Sequence, residues 1–181
     1  CVIAGPGGEA MLTVPLRTRH GKRIREVEVD GDRWVAKHRK AIEQTYSRAP
    51  YRDRLDVDAL VKPCTVASDV HAGTVELARI LGITTRWAWQ LWFPCMLTGE
   101  DLLLEYCRMF NVDRFLFGSM GRDYVTLSKW EHAGIAPIFS DFRVPEYERR
   151  GPVPQRILSV VDAVANVGLE RTREIIMGGA G

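Results

Sequence analysis

What this chain lacks narrows its function before anything present in it does. Its four cysteines, Cys1, Cys64, Cys95 and Cys107, form no C-x-x-C pair and have no histidine at ligand spacing. That pattern offers no metal site of the zinc type and fits free thiols in a reducing, cytoplasmic compartment. No apolar run reaches the roughly 18 residues of a membrane span. The net charge is only +2, so a nucleic-acid partner is not indicated. Internal repeats and low-complexity tracts are absent. So are G-x-G-x-x-G, G-K-S/T and G-x-S-x-G, which removes the dinucleotide fingerprint, the P-loop and the nucleophile elbow. No cofactor is named by what remains.

What is present is ordinary globular composition, 46% hydrophobic and 27% charged over 181 residues, enough for one domain with a core. The chain opens on Cys1 rather than Met. A lipid-bearing cysteine is usually followed by a polar tether, whereas Val2-Ile3-Ala4 reads like the end of a strand. The expectation is one domain over 1–181 that lacks native residues before Cys1.

Residues 10–16 read as a strand with Pro15 near its end or at an edge, after a Gly5-Pro6-Gly7-Gly8 turn. Residues 24–29 alternate apolar and polar, as a half-buried strand does. A helix is expected over about 33–48, with Trp34, His38, Ile42 and Thr45 on one face, ended by Ala49-Pro50. A shorter helix is expected near 56–61. Another runs from a Ser68 cap to Leu81 and is stopped by Gly82. Residues 84–92, rich in β-branched and aromatic side chains, read as a strand. Thr98-Gly-Glu-Asp101 fits a capping box ahead of a helix through Phe110. A strand over 114–117, a glycine turn, a helix over about 122–132 and a strand over 135–139 follow. Gly151-Pro152-Val153-Pro154 reads as a rigid connector, and two short helices near 160–167 and 169–177 close the chain. This alternation predicts an α/β fold: a mostly parallel sheet with flanking helices, Rossmann-like, plus a short C-terminal helical pair.

The stretch Arg114-Phe-Leu-Phe-Gly118-Ser-Met-Gly121-Arg-Asp-Tyr124 carries the clearest candidate chemistry. In an open α/β sheet ligands collect beyond the carboxyl ends of strands, and N–H groups at a helix start hold anions. Gly118, Ser119 and Gly121 would bring backbone close to a phosphate or carboxylate, and Arg122 would add a forked donor set. Asp123 and Tyr124 complete the candidate site. The alternative is a plain strand-to-helix turn with Asp123 in the first helical turn. His38 reads either as a general base or proton shuttle or as a packed core histidine. Tyr46, two turns on, points into the same cleft or covers the helix end. Asp162 and Asn166 line a polar pocket, or Ser159-x-x-Asp162 is a capping box with Gly168 as the stop.

Three further features have bland readings that compete. Arg17, Arg19, His20, Lys22, Arg23 and Arg25 would grip a nucleotide, a pyrophosphate or an RNA backbone, or form a solvated hairpin loop around Gly21. Trp87 and Trp89, on one face of the expected strand, with Trp92 near them, read as core packing, with sugar or base stacking as the alternative. Cys107 lies mid-helix in apolar company and reads as inert.

Five blocks occur in one order: Leu12-Thr-Val-Pro-Leu16, then Trp34-Val-Ala-Lys-His38 on through Tyr46 to Tyr51, then Gly99-Glu-Asp-Leu-Leu, then Gly118-Ser-Met-Gly-Arg-Asp-Tyr124, and last Leu158-Ser-Val-Val-Asp162-Ala-Val-Ala-Asn166-Val-Gly168. Their order and spacing resemble the WbqC-like protein family over nearly the whole chain. Members of that family begin with a strand, a His-Gln-Pro-type loop and an aromatic-rich helix, a segment that would lie before Cys1. The resemblance implies a place in bacterial surface-polysaccharide (O-antigen) or natural-product biosynthesis. It implies a transferase-like protein that modifies an amino sugar or nucleotide-sugar, with an acyl or aminoacyl donor as second partner. His38 is then the acid/base candidate with Tyr46 beside it. Gly118, Ser119, Gly121, Arg122, Asp123, Tyr124, Asp162 and Asn166 are the substrate-binding candidates. A non-catalytic binding or assembly protein of the same pathway is the other reading, and it fits the absence of a complete catalytic constellation.

Overall fold

Two short stretches on either side of the first glycine-rich turn fold back on each other. They form β1 (Val2–Gly5) and β2 (Gly8–Met11), paired antiparallel with Ile3 opposite Ala10. This is a computed structural model, and it describes residues 1–5, 7–17, 23–93, 95–149, 151, 153–154 and 158–178. The chain divides into two compact units, one of residues 1–84 and 144–178, the other of residues 85–143.

In the first unit the strand expected over 10–16 ends at Met11. Pro15 has no N–H with which to extend a ladder, and Leu16 makes only an isolated bridge to Val29. The strand expected over 24–29 opens instead as a 3-10 turn, Ile24–Glu26. The Glu26 carboxylate accepts the Arg23 backbone N–H at 3.2 Å and stabilises that turn. The amphipathic stripe of α1 (Arg33–Thr45) buries Trp34, Val35 and Ile42, and Tyr46 caps its end with its own ring buried. Helix α2 (Val57–Leu60) starts at Asp56, whose side chain accepts from Ala59 N–H. A 3-10 turn (Ala67–His71) leads into α3 (Ala72–Ile80).

Helix α6 (Val160–Gly178) crosses a break at Gly168, which yields the expected C-terminal pair of helices. Gly168 sits at φ 80°, ψ 175°, a region essentially reserved for glycine. A Cβ there would also lie 3.0 Å from the Tyr51 ring. Ile3, Trp34, Ile42, Tyr46, Leu81, Val164 and Ala165 belong to one core cluster.

The second unit departs from expectation at its start. Residues 84–92 form no strand and reach only a 3-10 turn at Gln90–Trp92. Strand propensity measures fit to a pleated, half-buried surface, and none is formed there. Trp87 and Trp92 are therefore 45% and 64% exposed instead of packed in the core, while the Trp87 and Trp89 rings stack 6.2 Å apart. Next come α4 (Gly99–Met109), β3 (Arg114–Phe117), a 3-10 turn (Ser119–Asp123), α5 (Leu127–His132) and β4 (Ala136–Phe139). The helix expected from 122 thus begins only at Leu127. Strands β3 and β4 pair in parallel, Arg114 opposite Ala136. Leu104, Cys107, Phe117, Trp130 and Ile135 make this unit's own core.

The architecture is mixed α/β. It departs from the expected Rossmann-like, mostly parallel sheet: the described residues form two sheets of two strands, one antiparallel and one parallel. Each sheet is too small to carry a doubly wound topology, and helices and 3-10 turns supply most of the packing. Arg19, His20, Gly21 and Lys22 of the basic run, Pro6 of the first turn and Pro152 of the connector lie outside the described residues.

Candidate functional site

Asp162 is one of the two buried polar or charged residues, with Thr172, among the described residues. It lies in the first turn of α6 among Val161, Ala163, Val164 and Ala165, and only 1% of it is exposed. A carboxylate in such company needs a cation and hydrogen bonds. Arg149 supplies both. Its Nε donates to Asp162 Oδ2 at 2.9 Å and its Nη2 to Oδ1 at 3.4 Å. Its Nη1 donates to the Val153 and Gly151 carbonyls at 2.7 and 3.1 Å. The Tyr147 hydroxyl donates to Asp162 Oδ2 at 2.9 Å. The capping-box alternative is met only in part. Ser159 Oγ accepts the Val161 N–H at 3.4 Å, but the Asp162 carboxylate turns away from the helix start to Arg149.

A cleft of about 560 Å³ runs along this cluster, with Gln44, Tyr46, Arg48, Arg149, Asp162 and Asn166 among its lining. The Tyr46 hydroxyl is buried beside the Asp162 carboxylate and the Ala4 backbone, with no well-aligned hydrogen bond to either. Burial first, then the negative charge of Asp162, pushes its pKa well above the usual tyrosine range. Asn166 Nδ2 donates to the Asp162 carbonyl at 2.8 Å, which fixes the amide on the cleft wall. The cleft therefore holds a saturated carboxylate anchor, one buried hydroxyl beside it and a rim of amide, guanidinium and carboxylate groups.

Of the expected site residues, Tyr46, Asp162 and Asn166 come together in this cleft. His38 does not join them. Eight positions separate His38 from Tyr46, which turns the later side chain about 80° round the axis. His38 instead lines a second cavity, of about 390 Å³, with Trp34. Their ring centroids lie 5.1 Å apart, edge to face. Burial lowers the His38 pKa, opposed by a hydrogen bond with the Thr13 backbone.

Gly118, Ser119, Gly121, Arg122, Asp123 and Tyr124 belong to the second unit and form the 3-10 turn and its flanks. Gly118 has extended backbone and open space where a Cβ would stand. Gly121 is buried, and a Cβ on it would come 2.6 Å from Phe117 Cβ. Packing thus requires the second glycine and leaves the first free. Arg122 Nη2 reaches both Asp141 carboxylate oxygens at 3.4 Å, and the guanidinium lies 4.8 Å from the Phe139 ring centroid.

Arg149 and Tyr147 escaped the sequence reading. Their signal was indirect: an aspartate inside an apolar helix stretch demands a partner, but that partner comes from the segment before the helix, 13 positions away. Among the described residues, no group of three or more His, Cys, Asp or Glu is placed to hold a metal ion, and no helix is long and apolar enough to cross a membrane.

The profile of the WbqC-like protein family matches residues 1–174, and the chain belongs to that family. Among curated proteins it is similar to "Uncharacterized protein Rv1507c" of Mycobacterium tuberculosis (strain ATCC 25618 / H37Rv). The two are 26% identical over 172 residues, which make up 90% of this chain and 74% of that protein. No solved structure matches the chain.

Proposed function

We propose that this chain is a transferase that modifies an amino sugar or nucleotide-sugar, by acyl or aminoacyl transfer, for surface polysaccharide (O-antigen) or natural-product biosynthesis. The observation that carries the reading is the cleft beside Asp162. Sugars present many hydroxyls, and they suit walls of fixed donors and acceptors. Asn166, Gln44 and Arg48 supply such a wall, and the buried Tyr46 hydroxyl adds a desolvated polar group. Asp162, saturated by Arg149 and Tyr147, orients that wall.

In the transfer, the sugar nitrogen forms a bond to the donor's acyl carbon and the donor's thiol or alcohol leaves. The nitrogen's proton ends on that leaving group, and His38, whose burial favours the neutral imidazole, is the candidate carrier where the reacting nitrogen extends from the cleft at Asp162 to the cavity that His38 lines. The turn at Gly118–Tyr124 is read separately as a holder of an anionic group, with Arg122 as its charge.

The test is incubation of the protein with nucleotide-activated amino sugars and with acyl thioester or aminoacyl donors, read by mass spectrometry. The expected result is a sugar heavier by one acyl group, formed by the wild type and lost in His38→Ala. Tyr46→Phe and Asn166→Ala should weaken sugar binding by several-fold. Arg122→Ala should weaken binding of the anionic part at an unchanged melting temperature; an equal loss of stability makes the turn structural. Saturable sugar binding with no product under any donor favours the second reading, a non-catalytic binding or assembly protein. One observation supports that second reading: both Asp162 oxygens already accept hydrogen bonds, so this carboxylate is poorly placed to act as a base.

A further inference from the structure

The second cavity of the first unit differs in character from the cleft at Asp162. Its walls include Leu12, Val14, Leu77 and Val161, with Trp34 and His38 contributed by one face of α1. Lys62 and Asp69 also line it. Trp34 is 7% exposed, and its indole N–H is buried without an acceptor. Buried N–H groups are nearly always paired, and leaving one unpaired is costly. An orphaned donor on a residue that lines a cavity of mixed apolar and polar wall is the pattern expected where a ligand supplies the acceptor. A charged imidazole beside the indole edge would favour a free anion. Burial instead disfavours the charged imidazole, which suits an uncharged acceptor.

We infer that this cavity binds an aliphatic acyl group, with the hydrocarbon against Leu12, Val14 and Leu77 and the acyl carbonyl oxygen accepting the Trp34 indole N–H. The site would also place that carbonyl near His38, one helical turn from Trp34. This deepens the transferase reading, and rests on it only for naming the acyl group as the donor's.

The test uses the whole chain and hexanamide as the probe. The indole resonance of Trp34 is identified by its loss in Trp34→Phe and then followed as hexanamide is added. The expected result is a saturable downfield shift of that one indole proton. By calorimetry, hexanamide should bind Trp34→Phe about tenfold more weakly, the loss of one hydrogen bond. Val14→Phe, which fills the cavity and leaves the indole in place, should block binding. Hexanoate in place of hexanamide separates a free acid from an acyl derivative: tighter binding of hexanoate would assign the site to carboxylates paired with Lys62 and overturn the inference. Equal binding of hexylamine, which offers no carbonyl, would also overturn it, as would an unmoved Trp34 resonance. Hexanamide binding without sugar modification would leave this site standing and sink the transferase reading. Sugar modification without hexanamide binding would do the reverse.

Discussion

Arg149 and Asp162 bury opposite charges at 4% and 1% side-chain exposure. A buried pair contributes little net stability over an apolar one, but removing one partner strands the other at a cost of about 3–5 kcal/mol. Arg149→Met should therefore lower the unfolding free energy measured by urea denaturation by that margin. Arg149→Met combined with Asp162→Asn should recover part of it, because no lone charge remains. Tyr46 makes the same wall sensitive to alkali. Its hydroxyl stays protonated in the folded chain above the ordinary tyrosine value of 10.0. As pH rises past 10 the unfolded chain loses this proton while the folded chain keeps it. The unfolded state then binds fewer protons, so stability is full below pH 10 and falls above it, by about 1.4 kcal/mol per pH unit for this group. Denaturation midpoints measured on both sides of pH 10 should show a shallower decline in Tyr46→Phe. An unchanged slope would mean that the hydroxyl is not desolvated.

At the level of elements, glycines separate packing from ligand approach. Gly121→Ala should destabilise by about 1–3 kcal/mol, since its Cβ overpacks against Phe117. Gly118→Ala should stay within about 0.5 kcal/mol of wild type, because nothing is near. If a ligand approaches the backbone there, Gly118→Ala will lose anion binding at unchanged stability; unchanged binding as well would retire Gly118 as a contact. Gly168→Ala should cost about 1–3 kcal/mol through backbone strain alone, and Tyr51→Ala should not rescue it if the dihedral dominates. Thermal melts of the four variants decide these points.

Elements whose local chemistry agrees with their surroundings were legible in the sequence: α1 from its stripe, β3 from its apolar run, and the break in α6 from Gly168. Residues 24–29 and 84–92 were not. Alternation and aromatic content register a preference for extended backbone, but a strand also needs a neighbour to pair with. In the site, local spacing pointed to Asp162 and Asn166. It could not show that Arg149 reaches back to the carboxylate or that His38 and Tyr46 face different cavities.

At the scale of the whole molecule, the two units carry cores with no residue in common. Each has its own polar clamp. In the first it is Arg149–Asp162. In the second it is Glu100, which accepts from Thr126 N–H at 3.0 Å, Thr126 Oγ1 at 2.9 Å and the indole N–H of Trp130 at 2.6 Å. Trp130 is fully buried, so Glu100→Ala strands its N–H and should cost about 1–3 kcal/mol. Cooperative opening follows units that share a core. Hydrogen exchange read by mass spectrometry should therefore respond by region. Arg149→Met should speed exchange in peptides from 33–61 and 160–178 and spare those from 101–139. Glu100→Ala should do the opposite. If either variant accelerates both sets by the same factor, the chain opens as one cooperative body. The first unit would then owe its stability to more than its own core, and the cavities at Asp162 and Trp34 would have to be probed only in variants that leave Glu100 intact.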